Sequence, residues 1–119
     1  MKPVRIQRKR TAGYNMQAAS RAINGLDCIY VGRPTRWGNP FFIGVDGDAT
    51  VCVRRYADML TPYHHHGKNS SLENLLLSIA NLEDIQNALR GKNLSCFCLL
   101  GSPCHADVLL SIANEETAA

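Results

Sequence analysis

The chain alternates between short apolar runs and longer amphipathic stretches. Apolar Val4 and Ile6 alternate with polar neighbours, which predicts a short strand over residues 4–7. The run CIYVG at 28–32 is β-branched and aromatic and too short for a helix, so it predicts a buried strand. The run NLSCFC at 93–98 predicts a third strand.

Two helices are predicted in the first half of the chain. Residues 18–23 are expected to form a short helix that ends at the following Asn-Gly pair. In the segment 49–60, apolar side chains recur at helical spacing. Asp48 or Thr50 can cap this helix, and Pro62 ends it.

The second half of the chain contains further helical segments. Ser71 can cap a helix over residues 72–80. Residues 81–90 are expected to follow as a second short helix, which Gly91 stops.

The last helix has the clearest predicted start. Ser102 is placed to act as its N-cap and Pro103 to occupy its first position, so we expect a helix over residues 104–114.

Strands separated by helical stretches predict an α/β fold. We expect a single compact domain over residues 1–119, because domains usually contain roughly 100 to 150 residues. Its sheet would be small, mixed or partly parallel, with three to four strands and about four flanking helices. Residues 1–16 include a polar segment that is either an ordered loop or a basic arm, and 63–71 form an exposed loop.

Composition narrows the class of protein. With 45% hydrophobic and 19% charged residues the chain is an ordinary soluble one, and no apolar run approaches the roughly 20 residues that span a bilayer. We therefore expect no membrane partner. The basic N-terminus is not followed by an apolar region, so we predict no secretory signal and a cytoplasmic location.

Charge is unevenly distributed. Residues 1–36 contain eight Lys or Arg and one Asp, a net charge of +7, whereas the remaining five basic and nine acidic residues give −4. This segregation indicates a nucleic acid or a phosphorylated small molecule as partner near the N-terminal third. A solvated basic arm explains it equally well.

The segment CFCLLGSPCHAD, residues 96–107, is the strongest chemical signal. An odd number of five cysteines without an export signal favours reduced thiols or a metal over disulfides. Side chains alternate along a strand, so the sulfurs of Cys96 and Cys98 point to one face and can converge. The predicted helix start then brings Cys104 and His105 next to free N–H groups that favour a thiolate or an anion.

Three interpretations of this segment remain open. The first is a zinc site formed by Cys96, Cys98 and Cys104, with or without His105 as a further ligand, although the spacing departs from the usual C-x2-C pattern. The second is a reactive Cys104 with His105 or Asp107 as its acid or base. The third is structural, with buried cysteines and a capped helix. The triple histidine at 64–66 fits a solvated loop better than a metal site.

The loop RPTRWGNPF, residues 33–41, follows directly after a predicted strand. Two prolines fix its backbone, so it is shaped before anything binds. Trp37 offers a face for stacking and Arg33 a phosphate-directed fork, while Gly38 permits close backbone approach. The alternative is that the aromatic residues only anchor the loop in the core.

These stretches resemble a family of small proteins of unknown function found in bacteriophages and bacteria. The residues that carry the resemblance are IQRKRTAGYNM, YVGRPTRWGNPF and LRGKNLSCFCLLGSPCHADVLL, which together span nearly the whole chain. The resemblance implies one compact domain and a phage or prophage origin. It implies no particular reaction.

We expect three segments to converge on one pocket that binds a phosphorylated, base-containing ligand, a nucleotide or a nucleotide-derived metabolite. Arg8, Arg10 and Arg33 would meet the phosphate, Trp37 would stack on the base and Asn39 would read its edge. If the protein is an enzyme, His105, Asp107 or Cys104 would act on a glycosidic or phosphoryl bond. The alternatives are a zinc-stabilised nucleic-acid-binding protein and an inhibitor of a host protein.

Overall fold

The computed structural model describes residues 2–61 and 71–115. The described residues form three strands and four helices. The strands are β1 (Arg5–Gln7), β2 (Cys28–Tyr30) and β3 (Asn93–Cys96). The helices are α1 (Met16–Asn24), α2 (Ala49–Leu60), α3 (Leu72–Leu89) and α4 (His105–Ala113).

The strands form one parallel sheet in the order β1-β3-β2. The last strand in sequence therefore lies in the middle, where Leu94 is opposite Arg5 on one side and Ile29 on the other. All four residues of β3 are buried, as expected for a parallel strand covered on both faces. The predicted α/β fold is confirmed.

Helices cover both faces of the sheet. Leu94 and Cys96 point into the main core with Leu109 of α4 and Ile85 of α3. The alternate β3 side chains, Asn93 and Ser95, face α1: Asn93 Nδ2 donates to Ser20 Oγ at 2.8 Å, and Ser95 Oγ contacts Met16 Sδ at 2.9 Å. The period of two along β3 thus places an apolar core on one face and a polar network on the other.

Several predicted caps are confirmed. Asp48 Oδ1 accepts from Val51 N at the start of α2, and Ser71 Oγ accepts from Asn74 N at the start of α3. The helix predicted at 18–23 is longer at both ends, since the Asn15 side chain caps it.

Two helix predictions were wrong. Residues 72–89 form one helix rather than two, because Asn81 does not interrupt it: its side chain donates to Leu60 O at 2.9 Å and ties α3 to α2. The last helix begins at His105, with Cys104 as the capping residue. Ser102 is instead part of a turn, since its N–H donates to Leu99 O.

The third strand is also shorter than predicted, because it ends at Cys96 and the chain bends at the next two residues. Of the loop predicted at 63–71, only Ser71 is among the described residues, and the triple histidine at 64–66 lies outside them. In the described ranges 2–61 and 71–115, no helix combines the length and apolar character needed to cross a membrane.

Candidate functional site

A pocket of about 300 Å³ opens where the three strands end. Because the strands are parallel, their carboxyl ends lie at the same edge of the sheet, the usual location of ligand sites in α/β folds. The arginine-rich segment follows β1, the loop 33–41 follows β2, and a cysteine-containing bend follows β3. The start of α4 completes the wall.

The pocket brings together most of the predicted site residues. Arg8 lies next to the pocket: its guanidinium carbon is 4.6 Å from the ring centroid of Tyr30, which is a lining residue. Trp37, Gly38 and Asp107 do not belong to the described pocket lining. The predicted residues that line it are Arg10, Arg33, Asn39, Cys96, Cys98, Cys104 and His105.

The loop 33–41 presents Arg33 at the pocket. The peptide bond between Arg33 and Pro34 is cis. Tyr30 Oη donates to Arg33 O at 2.9 Å, and the Arg33 guanidinium carbon lies 4.2 Å from the ring centroid of Phe42. A Cβ on Gly38 would come within 2.9 Å of Arg33 Cγ and 3.1 Å of its Cα, so glycine is needed for this close approach.

Trp37 and Asn39, the other two predicted site residues of this loop, stabilise its conformation. Trp37 is partly buried against the core, and its carbonyl accepts from Tyr56 Oη at 2.6 Å. Asn39 is 7% exposed. Its Nδ2 donates to Cys52 O at 3.1 Å and its Oδ1 accepts from Phe41 N at 2.9 Å, so both ends of the amide already bind the protein.

Three cysteine sulfurs form a cluster in the wall of the pocket. The Sγ atoms of Cys96, Cys98 and Cys104 all lie within 4.8 Å of one another, and those of Cys96 and Cys104 are 2.8 Å apart. They converge because the chain bends after β3 and returns at the start of α4. Thiolates are the preferred ligands of zinc and other soft cations, so this cluster can hold a metal ion.

His105 extends the cluster by one nitrogen. Its Nε2 lies 2.7 Å from Val31 O, and because a carbonyl can only accept, we assign the ring hydrogen to Nε2. Nδ1 then keeps its lone pair, 3.8 Å from Cys104 Sγ. The ring is held further by an edge contact with Tyr56, with centroids 5.2 Å apart.

Charge within the cluster is concentrated on Cys104. A hydrogen bond from Cys96 lowers the pKa of Cys104, helped by the N–H of Ala106, while burial opposes this shift. The same hydrogen bond, together with burial, raises the pKa of Cys96. Burial raises the pKa of Cys98. These shifts favour a negative charge on Cys104 over one on Cys96 or Cys98.

Arg5 is a site residue that sequence reasoning missed. Its side chain is 8% exposed, and Nη1 is buried with no hydrogen-bond partner among the described residues. Burial opposes its charge, yet a hydrogen bond to Cys104 and the charge of Asp107 raise the pKa of the guanidinium. Its Nη2 donates to Ser102 O at 3.0 Å and to Leu100 O. An arginine on a three-residue strand gives no local signal of burial.

Asp107 lies on the far side of Arg5 from the cluster. Its Oδ1 is 3.5 Å from Arg5 Nε, and the carboxylate is 55% exposed. It borders two other surface hollows, one with Thr61 and one with Lys2. Asp107 is thus connected to the cysteines through Arg5.

One comparison with known proteins gives a match. A family model described as Domain of unknown function (DUF4326) covers residues 6–115, which include β2, β3, the loop 33–41 and the cysteine cluster. No curated protein and no solved structure matches the chain.

Proposed function

Since the chain belongs to the DUF4326 family, whose description names no reaction, we infer its function from the pocket. We propose that the pocket binds a phosphorylated, base-containing ligand. One observation supports this most strongly. Two arginines and three aromatic residues line the same cavity: Arg10, Arg33, Tyr30, Phe41 and Phe97. Such a cavity offers charge to a phosphate and flat faces to a base.

The arginines are available for a phosphate. In the described part of the chain, carboxylates pair with Arg5, Arg21, Arg36 and Arg55. Within the same part, no ion pair involves the three arginines that the sequence analysis assigned to the phosphate. An anionic ligand would therefore not have to displace an acidic side chain.

The size of the pocket suits one nucleotide. Its volume of about 300 Å³ lies at the small end of ligand cavities, which range over roughly 300–1,000 Å³. Of the three candidate catalytic residues, Cys104 and His105 line this cavity, and we propose them as the residues that would act on a glycosidic or phosphoryl bond.

A ligand panel tests this function. Thermal unfolding is followed with nucleosides, nucleoside mono-, di- and triphosphates, and inorganic phosphate. A ligand at 100 times its dissociation constant stabilises the fold by about 2.7 kcal/mol, a shift of several degrees. Arg10→Ala and Arg33→Ala should reduce the shift, whereas Arg54→Ala, an exposed arginine of α2 outside the pocket, should not. The proposal fails if no phosphorylated compound shifts unfolding.

We propose zinc as the ion of the cysteine cluster. Two thiolates on a tetrahedral zinc, each about 2.3 Å from the ion, are about 3.8 Å apart, so Cys96 and Cys104 would separate by about 1 Å on binding. His105 is oriented for the fourth position because Nε2 is bound to Val31 O. A zinc-bound Cys104 could not act as a nucleophile.

Metal analysis separates these two roles of Cys104. Protein purified under reducing conditions should contain about one zinc per chain, and Cys98→Ser should lower this content. Cys28→Ser is the matched control, since Cys28 is also buried but lies outside the cluster. Equal zinc content in both variants would contradict the assignment.

We also propose a bacterial cytoplasm as the location, in a phage-infected or lysogenic host. The five free cysteines support a reducing compartment. The phage origin rests on the resemblance alone.

A further inference from the structure

Arginines stacked on aromatic rings surround the pocket. On the side of β2 and β3, the guanidinium carbon of Arg10 lies 4.4 Å from the centroid of Phe97, and that of Arg8 lies 4.6 Å from Tyr30 and 5.7 Å from Phe97. The two rings also meet edge to face at 5.7 Å. This side is therefore a continuous surface of two cations and two rings.

The loop after β2 carries a second group of the same kind. Arg33 lies over Phe42 at 4.2 Å, and Arg55 of α2 lies over Phe41 at 5.5 Å. Arg33 and Phe41 line the pocket, whereas Phe42, 52% exposed, and Arg55 lie beyond its lining. Cations and rings thus continue past the cavity on this side too.

We propose that the nucleotide bound in the pocket is part of a single-stranded nucleic acid. This inference rests on the proposed function and specifies its ligand. The cavity has room for one nucleotide, so Phe42 and Arg55, outside the lining, would have no group of a free nucleotide to meet. In a strand, the neighbouring phosphates and bases supply those groups.

The form of the surface favours a single strand over a duplex. A base can enter the cavity only if it is unstacked from its neighbours, and exposed rings bind bases through faces that a duplex already occupies. Phe42 and Phe97, at 52% and 36% exposed, offer such faces. Stacking is tolerant of sequence, so we expect weak dependence on base identity.

Charge gives a measurable expectation. Arg8, Arg10 and Arg33 have no carboxylate partner in the described part of the chain, while Asp46 pairs with Arg55. Three phosphate contacts on a single strand predict a slope of about −2 for the logarithm of the binding constant against the logarithm of salt concentration.

The test compares ligand lengths on the full chain. Fluorescence anisotropy and competition measure binding of thymidine monophosphate, the octamers dT8 and rU8, and an eight-base-pair duplex. We expect either octamer to bind at least tenfold more tightly than the mononucleotide or the duplex, with the salt slope given above. The two octamers distinguish DNA from RNA as the source of the strand.

Two variants make the test specific. Phe42→Ala and Arg55→Ala should weaken octamer binding several-fold and leave mononucleotide binding unchanged, with Arg54→Ala as the control. If the mononucleotide binds as tightly as the octamers, or if the variants weaken both ligands alike, the strand inference is wrong and the proposed function stands. Tighter binding of the duplex also overturns it. If no ligand binds, both proposals fail.

Discussion

Replacing Arg5 by methionine tests whether this buried arginine fixes the connection between β3 and α4. Methionine keeps an aliphatic stem of similar length but removes the charge and every donor. The change deletes the hydrogen bonds from Nη2 to Leu100 O and Ser102 O. It also leaves the thiolate of Cys104 without its neighbouring cation.

The magnitude follows from these contacts. A hydrogen bond from a charged group contributes about 1.5–3 kcal/mol, so two give about 3–6 kcal/mol. The ion pair with Asp107 adds less than about 1 kcal/mol, because that carboxylate is 55% exposed. We therefore expect Arg5→Met to lower the free energy of unfolding by about 4 kcal/mol. Arg5→Lys, which keeps the charge but cannot bridge two carbonyls, should lose an intermediate amount.

Equilibrium unfolding in urea under reducing conditions measures this loss, with the fluorescence of Trp37 as the signal. Arg21→Met is the matched control, because Arg21 also pairs with an aspartate but its side chain is 59% exposed. Its loss should stay within about 1 kcal/mol. If Arg5→Met costs no more than Arg21→Met, Arg5 does not hold the connection.

Three further changes have defined outcomes. Asn93→Ala should lower the free energy of unfolding by about 3–5 kcal/mol in urea, since it leaves Val4 N and Ser20 Oγ without their buried partner; a loss below 1 kcal/mol would contradict this. Tyr56→Phe should lower the free energy of unfolding by about 1–3 kcal/mol near pH 7, because it removes the hydrogen bond to Trp37 O. Burial raises the pKa of Tyr56, so the stabilisation by its hydroxyl is lost as the pH rises above about 10, where the unfolded state ionises first. The difference in stability between the two proteins should therefore shrink above about pH 10, and a constant difference would be the contrary result. Zinc at 100 times its dissociation constant should stabilise the reduced protein by about 2.7 kcal/mol in thermal unfolding, and a chelator should reverse this stabilisation. Thermal unfolding that does not change with zinc would show that the cluster binds no zinc.

Local signals in the sequence were sufficient for much of the fold. The capping side chains of Asp48 and Ser71 act on N–H groups three residues away, so neighbouring residues determine them. The buried strands were recognised from short runs of residues with high strand propensity. Because these strands were expected to be at least partly parallel, the loop 33–41 and the cysteines, which each follow a strand, could be expected at the same edge of the sheet.

Features that depend on distant contacts were missed. Ser102 has the local properties of an N-cap, but Arg5, 97 positions earlier, binds its carbonyl. The helix starts at His105, two residues after the predicted first position. The polar Asn81 continues a helix because its side chain finds Leu60 O. Likewise, Cys98 reaches the other sulfurs through a bend and not through the alternation of a strand, and no spacing rule describes that geometry.

The position of β3 has a consequence for the order in which the molecule can be assembled. Asn93 Oδ1 accepts a hydrogen bond from Val4 N, 89 positions earlier in the sequence. Both outer strands, β1 and β2, form their backbone hydrogen bonds with β3. During synthesis β1 and β2 therefore remain without a sheet until β3 leaves the ribosome. The arginines and rings of the loop after β2 are made early, and the cysteines of the pocket wall join them only after β3 and the start of α4 have been made.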